Sequence, residues 1–497
     1  MIFGDPLYAI VTPTIAIIII AMLSFVGKIR RMNKLLGSIT TIAIGITLVQ
    51  VIGVFINLKE GPIVRWFTVE SPNASCFIID YFSAIMAMLF AFIGLMVALY
   101  SITYMEEGHS LHAYYILLLI MLIGLLGTVY AGDFFTFFVF YEALSVSAIS
   151  LVAYFKNEEA IEAALKYLIM DATGSTMVLL SFSLVYAMTG TLNIAVATRI
   201  FNQTPMSLAK ILTLTLMICG FGFKAAIFPM HSWLIDAHPA APSGISAMLS
   251  GVVIKAGVYA IMRALLFLAP WRLTLFDVLL IIAVITVTIP NIIALMQEDV
   301  KRTLAYSSIY NVGIIIAGLS TGSALGIVAA IFHLINHALL KALMFMGAGA
   351  FIQVTESRKF DDLCGIGRKM KITGTIFSAG ALALASLPPF PTFFSKFLII
   401  WAAIQLGGLR GIIIAALILI NSIISIGYYG KMIKTSMMMA PDNPNEKLKE
   451  LNMMTVALVI LFIIVILIGI WPNLVLEQVQ KATEALLSKE QFYQVIP

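Results

Sequence analysis

The sequence predicts an all-α integral membrane protein with about fourteen transmembrane helices. Of its 497 residues, 61% are hydrophobic and only 11% are charged, whereas soluble domains carry about 25% charged residues. The chain also divides into apolar stretches of roughly 20 residues, the length at which a helix crosses the hydrocarbon core of a bilayer. This composition excludes a water-soluble globular protein.

The predicted spans follow one another from the first residues almost to the last. Residues 1–7 lack a basic segment and the apolar run after them is long for a signal peptide, so we expect a retained first span. Beyond the last span, alternating charged and apolar residues predict a short amphipathic surface helix. The spans are 7–27, 35–58, 77–104, 113–131, 134–155, 166–190, 208–229, 242–269, 273–297, 303–320, 323–354, 373–405, 411–437 and 451–472.

Basic residues indicate how these spans are oriented. They concentrate in the connections after odd-numbered spans, as in segments 28–31, 301–302, 358–371 and 431–434. Cytoplasmic connections carry the excess of lysine and arginine in membrane proteins. We therefore expect a multi-pass protein of the prokaryotic plasma membrane, embedded in the lipid bilayer, with both termini on the outer side.

Several classes of site are not expected in this chain. The net charge of +5 is spread over short connections and does not indicate nucleic-acid binding. The three cysteines, Cys76, Cys219 and Cys364, form no CxxC pair, which argues against iron–sulfur clusters and structural zinc. Neither a GxxxxGK[ST] nor a GxGxxG segment occurs, so no nucleotide site is expected. The sequence thus predicts no cofactor, no metal and no redox site of its own.

Prolines interrupt the seventh and twelfth spans, close to a lysine in each. Proline removes a backbone donor, and such a break is tolerated in a membrane where the freed carbonyls meet protein or water. Lys224 precedes Pro229 in the seventh span. In the twelfth, Lys396 follows three prolines: Pro388, Pro389 and Pro391.

We expect the reversed order of lysine and proline from two inverted repeats, and broken helices in matching halves indicate a transport site. Coincidence of prolines in a long chain is the alternative. The predicted domains are an N-terminal three-helix segment (1–112), a first repeat (113–269), a second, inverted repeat (273–437), and the last span with its tail (438–497).

Ionisable side chains deep inside the spans are the candidate functional residues. A charged group at the bilayer centre costs about 3 kcal/mol on insertion scales. Glu142 in the fifth span is the natural partner of Lys224, and separating the two would release or capture a proton. A static structural ion pair is the alternative for these two residues. Lys255 has no acidic residue nearby in the sequence, which favours a hydrated interior.

His333, His337 and Lys341 lie along one face of a helix. Their spacing of i, i+4 and i+8 covers about 12 Å of helix. Histidine relays protons through either ring nitrogen, so this face resembles a proton relay. A metal site and polar packing between helices are the alternatives. Lys396 would end the series after the proline break.

Another histidine, His238, lies near the first break. We interpret His238 as a candidate for proton uptake and the neighbouring Asp236 as a helix cap. Lys166 and Asp171 are weaker candidates for functional residues.

Four segments together resemble the large antiporter-like membrane subunits shared by respiratory complex I, Mrp-type sodium/proton antiporters and membrane-bound hydrogenases. The most specific segment, from Gly222 to Arg263, contains FKAA, PMHSWL, DAH, APS and SGV. Three further segments support it: FYEALS (140–145), DVKRTLAYSS (299–308) and HLINHALLKA (333–342). The resemblance runs from about residue 75 to 435.

The resemblance implies a fourteen-helix fold with two inverted five-helix repeats and broken seventh and twelfth helices. It implies a proton-translocating subunit, with or without sodium exchange, that assembles with other membrane subunits. Glu142 and Lys224 match the family's charged pair, and Lys396 its terminal residue. Its central axis is matched by Lys255, His333, His337 and Lys341.

Lysine at positions 341 and 396 resembles the Mrp-type and hydrogenase branches more than other branches of the family. Pro391-Thr392-Phe393 departs from the family's usual Ser-Gly-Phe. Two other functions stay open at this stage: a stand-alone secondary transporter of a small solute, and a structural scaffold. The sequence does not indicate whether quinone reduction, hydrogen evolution, sulfur reduction or a sodium gradient drives the complex.

Overall fold

A computed structural model describes residues 4–25, 32–58, 61–67, 74–105, 110–264, 272–441, 450 and 452–488. The basic segment 28–31, used above for orientation, lies outside these ranges. Eleven helices in the described part are long and apolar enough to cross a membrane. Three shorter apolar helices accompany them: Tyr8–Ser24, Lys371–Leu384 and Pro391–Leu406. The prediction of a helical, multi-span membrane protein is confirmed.

In the described residues up to 264, the structure has eleven α-helices and one pair of antiparallel strands. The helices are α1 (Tyr8–Phe25), α2 (Met32–Asn57), α3 (Tyr81–Tyr104), α4 (Leu111–Tyr130), α5 (Phe134–Val152), α6 (Glu158–Thr189), α7 (Ile194–Gln203), α8 (Leu208–Lys224), α9 (Ser232–Ala240), α10 (Ser243–Met248) and α11 (Ile254–Ala264). A π-helical turn, Leu249–Val253, joins the last two.

The described residues from 272 onward add nine α-helices. They are α12 (Arg272–Leu295), α13 (Val300–Ser320), α14 (Ala324–Thr355), α15 (Ile366–Lys369), α16 (Lys371–Leu384), α17 (Pro391–Leu406), α18 (Gly408–Ile433), α19 (Met453–Ile470) and α20 (Asn473–Leu487). The last of these is the predicted C-terminal helix, which packs one face on α3 and α14.

A short pair of antiparallel strands is an addition to the helical fold that the sequence did not predict. Strands β1 (Ile63–Trp66) and β2 (Cys76–Ile79) pair where the third span was expected to begin at residue 77. The helix begins only at Tyr81, because the Asp80 carboxylate accepts from the Ser83 N–H at 2.8 Å and the Ser83 hydroxyl accepts from the Asp80 N–H. This capping box satisfies the free donors of the first turn and fixes the start of α3.

The breaks predicted near Lys224 and Lys396 are present. Helix α8 ends at Lys224 and α16 ends at Leu384. The second residue after each helix, Ala226 or Ser386, has a positive φ. The N–H of the next residue, Ile227 or Leu387, donates to the carbonyl five residues earlier in the chain. The backbone therefore follows the same pattern at both breaks when it is read from the N- to the C-terminus. The lysine precedes the first break and follows the second, as the sequence indicated.

Helix α14 lies at the centre of the bundle. Every residue from Gly326 to Phe351 on this 32-residue helix is buried or nearly so, and the helix contacts α10, α13, α16, α17 and α19. A helix enclosed on all sides can carry polar groups only where neighbouring helices supply partners. Its polar side chains therefore mark where the interior of the bundle is polar.

Candidate functional site

The site begins where α6 and α8 approach closely. A Cβ on Gly220 would lie 2.8 Å from the carbonyl oxygen of Gly174, so only glycine allows this contact. The approach brings Asp171 of α6 to Lys224 at the end of α8. Their Oδ1 and Nζ atoms are 2.6 Å apart, and the two side chains are only 6% and 1% exposed.

Lys224 has two further neighbours on α5. Its ammonium donates to the Ser145 hydroxyl and lies 4.7 Å from the centre of the Tyr141 ring. A hydrogen-bonded ion pair beside an aromatic face lowers the cost of a charge in this buried position. Lys224 is thus held by partners from two helices.

Glu142 is not the direct partner of Lys224, contrary to the sequence-based prediction. Its half-buried carboxylate accepts from the Ser175 hydroxyl at 2.5 Å. Ser175 and Asp171 lie one turn apart on α6, so Glu142 of α5 is bonded to the same face of α6 that carries Asp171. Asp171, only a weaker candidate in the sequence, takes the place predicted for Glu142. Sequence separation hid this contact, which depends on how the helices pack.

Lys255 lies just beyond the π-helical turn. Its ammonium donates to the carbonyl of Ser250 within that turn. Such turns release a carbonyl from the regular ladder and often occur at functional sites. The Ser250 hydroxyl in turn lies 2.7 Å from that of Ser308 on α13. The Lys255 segment is therefore linked to α13.

Lys341 meets α13 at the same level. Its ammonium donates to the carbonyl of Leu304 at 2.9 Å and to the Ser307 hydroxyl. Ser307 and Ser308 thus place the Lys255 and Lys341 segments next to each other. The serines were not singled out from the sequence; their position beside one another in an otherwise apolar span was the available signal.

The two histidines of α14 stack, with ring centres 6.2 Å apart and ring planes within 10°. His333 lies 2.8 Å from the Ser395 hydroxyl and 3.2 Å from the Asn311 side-chain oxygen. Among the described residues, neither ring nitrogen of His337 has a partner, although the ring is buried. Buried polar atoms of this kind are positions for ordered water.

Lys396 adjoins this pair through its neighbour Ser395. Its ammonium lies 3.0 Å from the Tyr310 hydroxyl and 3.2 Å from that of Ser422. Pro391 is the first residue of α17, a position where the helix makes no use of a backbone N–H. Its carbonyl accepts a hydrogen bond from the Asn336 side chain at 3.3 Å. The second break is therefore tied directly to α14.

Pro229, Pro388 and Pro389 lie in the irregular segments between the helix halves. The peptide bonds that precede Pro229 and Pro389 are cis. All four predicted prolines thus fall at the observed breaks.

His238 lies on α9, the short helix after the first break. It is fully buried, stacks on Phe345 of α14 with ring centres 4.3 Å apart, and its ring nitrogens lack partners in the described part of the chain. Asp236 is not a cap as expected. It lies inside α9 and pairs with Lys166 at 3.0 Å and Arg302 at 3.1 Å.

Comparisons with known proteins bear on this arrangement. Residues 131–425 match the family described as "NADH:quinone oxidoreductase/Mrp antiporter, TM". The chain belongs to this family. Residues 66–115 also match "NADH-Ubiquinone oxidoreductase (complex I), chain 5 N-terminus". The resemblance inferred from the sequence motifs is confirmed, and the chain is an antiporter-like membrane subunit.

Three similar proteins illustrate the range of the family. NADH-quinone oxidoreductase subunit N of Desulforudis audaxviator is 32% identical over 376 residues, 74% of each chain. A chain of the membrane-bound sulfane sulfur reductase, an archaeal respiratory complex, aligns with a TM-score of 0.92 at 30% identity over 99% of both chains. A chain of the Mrp complex from Dietzia has a TM-score of 0.87 at 22% identity over 98% of both chains, which shows a shared fold.

Proposed function

We propose that this subunit translocates protons, with or without exchange for sodium, within a larger membrane complex. The observation that carries the proposal is the series of ionisable side chains buried inside the bundle, from Lys224 to Lys396. Four lysines and two histidines with exposures of 3% or less follow one another across α8, α11, α14 and α17. Charges are retained at such depth mainly where ions move.

Each group has a role that follows from its contacts. Lys224 takes up a proton, and its ion pair with Asp171 makes or breaks as the charge changes. Glu142 tunes the pair, because its partner Ser175 lies one turn from Asp171 on α6. His238 is the candidate uptake residue. The series between the two breaks passes the proton on, from Lys255 and Lys341, which meet at α13, through His337 to His333, which adjoins Lys396. Lys396 delivers it beyond the second break.

The family also supports a finer description of the fold. We propose fourteen spans arranged as two inverted five-helix repeats, 113–269 and 273–437, after a three-helix segment (1–112) and before the last span and tail (438–497). Lys301, Arg358 and Lys431 lie at one end of the bundle, because Arg358 pairs with Asp299 and Lys431 donates to the Gln297 carbonyl. We call it the basic end and place it in the cytoplasm, with the termini outside.

The solved relatives named above belong to multisubunit assemblies, which supports other membrane subunits as partners of this chain. The buried series contains titratable groups and no cluster typical of a bound cofactor. We propose that the chain binds none, and that any redox step of its complex takes place in other subunits.

The test is proton transport by the complex reconstituted in liposomes with Lys224→Ala in this chain. Transport should be lost while assembly is preserved. Lys210→Ala is the matched control, because Lys210 lies on the same helix and its ammonium donates only to the carbonyls of Phe201 and Thr204 among the described residues. Normal transport by the Lys224 variant would overturn the proposal, as would equal losses in both variants.

A further inference from the structure

The end of α9 is held by cations from the second half of the chain. Arg358, in the connection after α14, donates from Nη1 to the carbonyl of Pro239 at 2.8 Å. Lys301, at the start of α13, donates to the carbonyl of Ala241 at 2.8 Å and is only 3% exposed. Both carbonyls lie within three residues of His238.

These contacts have a clear physical cause. The last carbonyls of a helix lack partners within it and carry partial negative charge. Helix α9 ends inside the protein at Ala240, where water is largely excluded and unpaired carbonyls are costly. Arg358 and Lys301 supply both the donors and the positive charge that this buried end requires.

Arg358 is itself fixed in place. Its guanidinium pairs with Glu159 of α6 at 2.9 Å and with Asp299 at 3.2 Å. Its carbonyl accepts from the N–H of Val300 at 3.0 Å, so the backbone around residue 358 is joined to the start of α13. An arginine with three partners in fixed directions is a rigid support, which a lysine could reproduce only in part.

His238 lies between this support and the lysines of the proposed pathway. Lys341, Lys301 and Lys255 are close enough to interact electrostatically with its ring. Its own carbonyl accepts from the Ser246 hydroxyl at 2.9 Å, and its ring stacks on Phe345. The imidazole is therefore placed by backbone contacts and packing, because its nitrogens have no partner among the described residues.

We propose that Arg358 and Lys301 are positioning residues for His238: from the second half of the chain they fix the end of α9 and so keep the imidazole in line for proton uptake. This inference rests on the proposed function. It means that uptake in the first half depends on contacts made by the second half. Arg358 acts through His238 and does not itself carry the proton.

A double-variant experiment tests this dependence. Arg358→Gln in the reconstituted complex should slow proton transport about ten- to hundredfold, because small misplacements of a reacting group have effects of that size. Arg358→Lys should recover part of the rate. In a His238→Gln background, Arg358→Gln should cause no further loss, since two residues that act through one step are not additive.

Arg368→Gln is the matched control. Arg368 lies on α15, ten residues further along the chain, and its guanidinium also binds backbone carbonyls, those of Met437 and Met438, away from His238. Its substitution should leave transport unchanged. If Arg358→Gln disturbs assembly, Lys301→Gln replaces it and should show the same dependence on His238.

Three results would overturn the inference: a normal rate in an assembled Arg358→Gln complex, losses that multiply with those of His238→Gln, or equal losses from Arg368→Gln. These results are separable from failure of the proposed function, which the Lys224→Ala variant reports independently.

Discussion

Asp171→Asn should destabilise the subunit and stop transport, whereas Glu142→Gln should have a much smaller effect on stability. The Asp171 and Lys224 atoms are 2.6 Å apart and both side chains are buried. At an effective dielectric constant of about 20, their gross attraction is about 6 kcal/mol. Desolvation offsets part of it, and removal of one member of a buried pair typically costs about 3–5 kcal/mol. Glu142 contacts a serine hydroxyl, so its neutralisation leaves no charge unpaired.

Thermal unfolding of the purified complex in detergent measures the effect on stability, and proton transport in liposomes measures the effect on function. A double variant, Asp171→Asn with Lys224→Met, separates the two. It removes both charges and should recover much of the stability without restoring transport. The reasoning is refuted if Asp171→Asn unfolds at the wild-type temperature, or if Glu142→Gln is destabilised equally.

Three further substitutions probe neighbouring features. Glu142→Gln should change the pH dependence of transport, measured in liposomes at graded pH, because it removes a titratable group beside the ion pair; an unchanged profile would count against a tuning role. Gly257→Ala should destabilise by about 1–3 kcal/mol and impair transport, because the new Cβ would lie 2.5 Å from the backbone nitrogen of Ala225 in the first break; thermal unfolding without a shift would contradict this. Asp80→Asn should lower the unfolding temperature, since Asp80 binds Arg263 through two contacts of 2.6 and 2.7 Å, but should preserve transport by the assembled complex; loss of transport at normal stability would place this pair in the pathway.

Much of the architecture could be predicted from local patterns. Apolar length predicted a helical protein with many membrane spans, and prolines in apolar surroundings predicted both breaks. The burial of Lys224, Lys255, Lys341 and Lys396 followed from their positions within those spans. These features depend on residues close together in the chain and on the energetics of lipid, which a single sequence contains.

Partnerships between distant helices could not be predicted in the same way. The pairing of Lys224 with Asp171 depends on the glycine contact between α6 and α8. Asp236 lies within α9 and does not cap it, because α9 begins at Ser232. The pairing of β1 with β2 was missed because an apolar strand next to an apolar helix looks like one longer span. In each case the deciding interaction joins segments that are far apart in sequence or ambiguous in period.

The enclosure of α14 limits how the protein can work. A helix with neighbours around its whole circumference cannot tilt or slide without displacing several others, and close-packed interiors resist such displacement. We therefore expect the backbone of α14 to stay still during turnover, while rotations of the His333, His337 and Lys341 side chains and the shorter pieces at the two breaks supply the motion. Helix α14 would then be the static element relative to which the mobile segments return to their starting positions after each cycle.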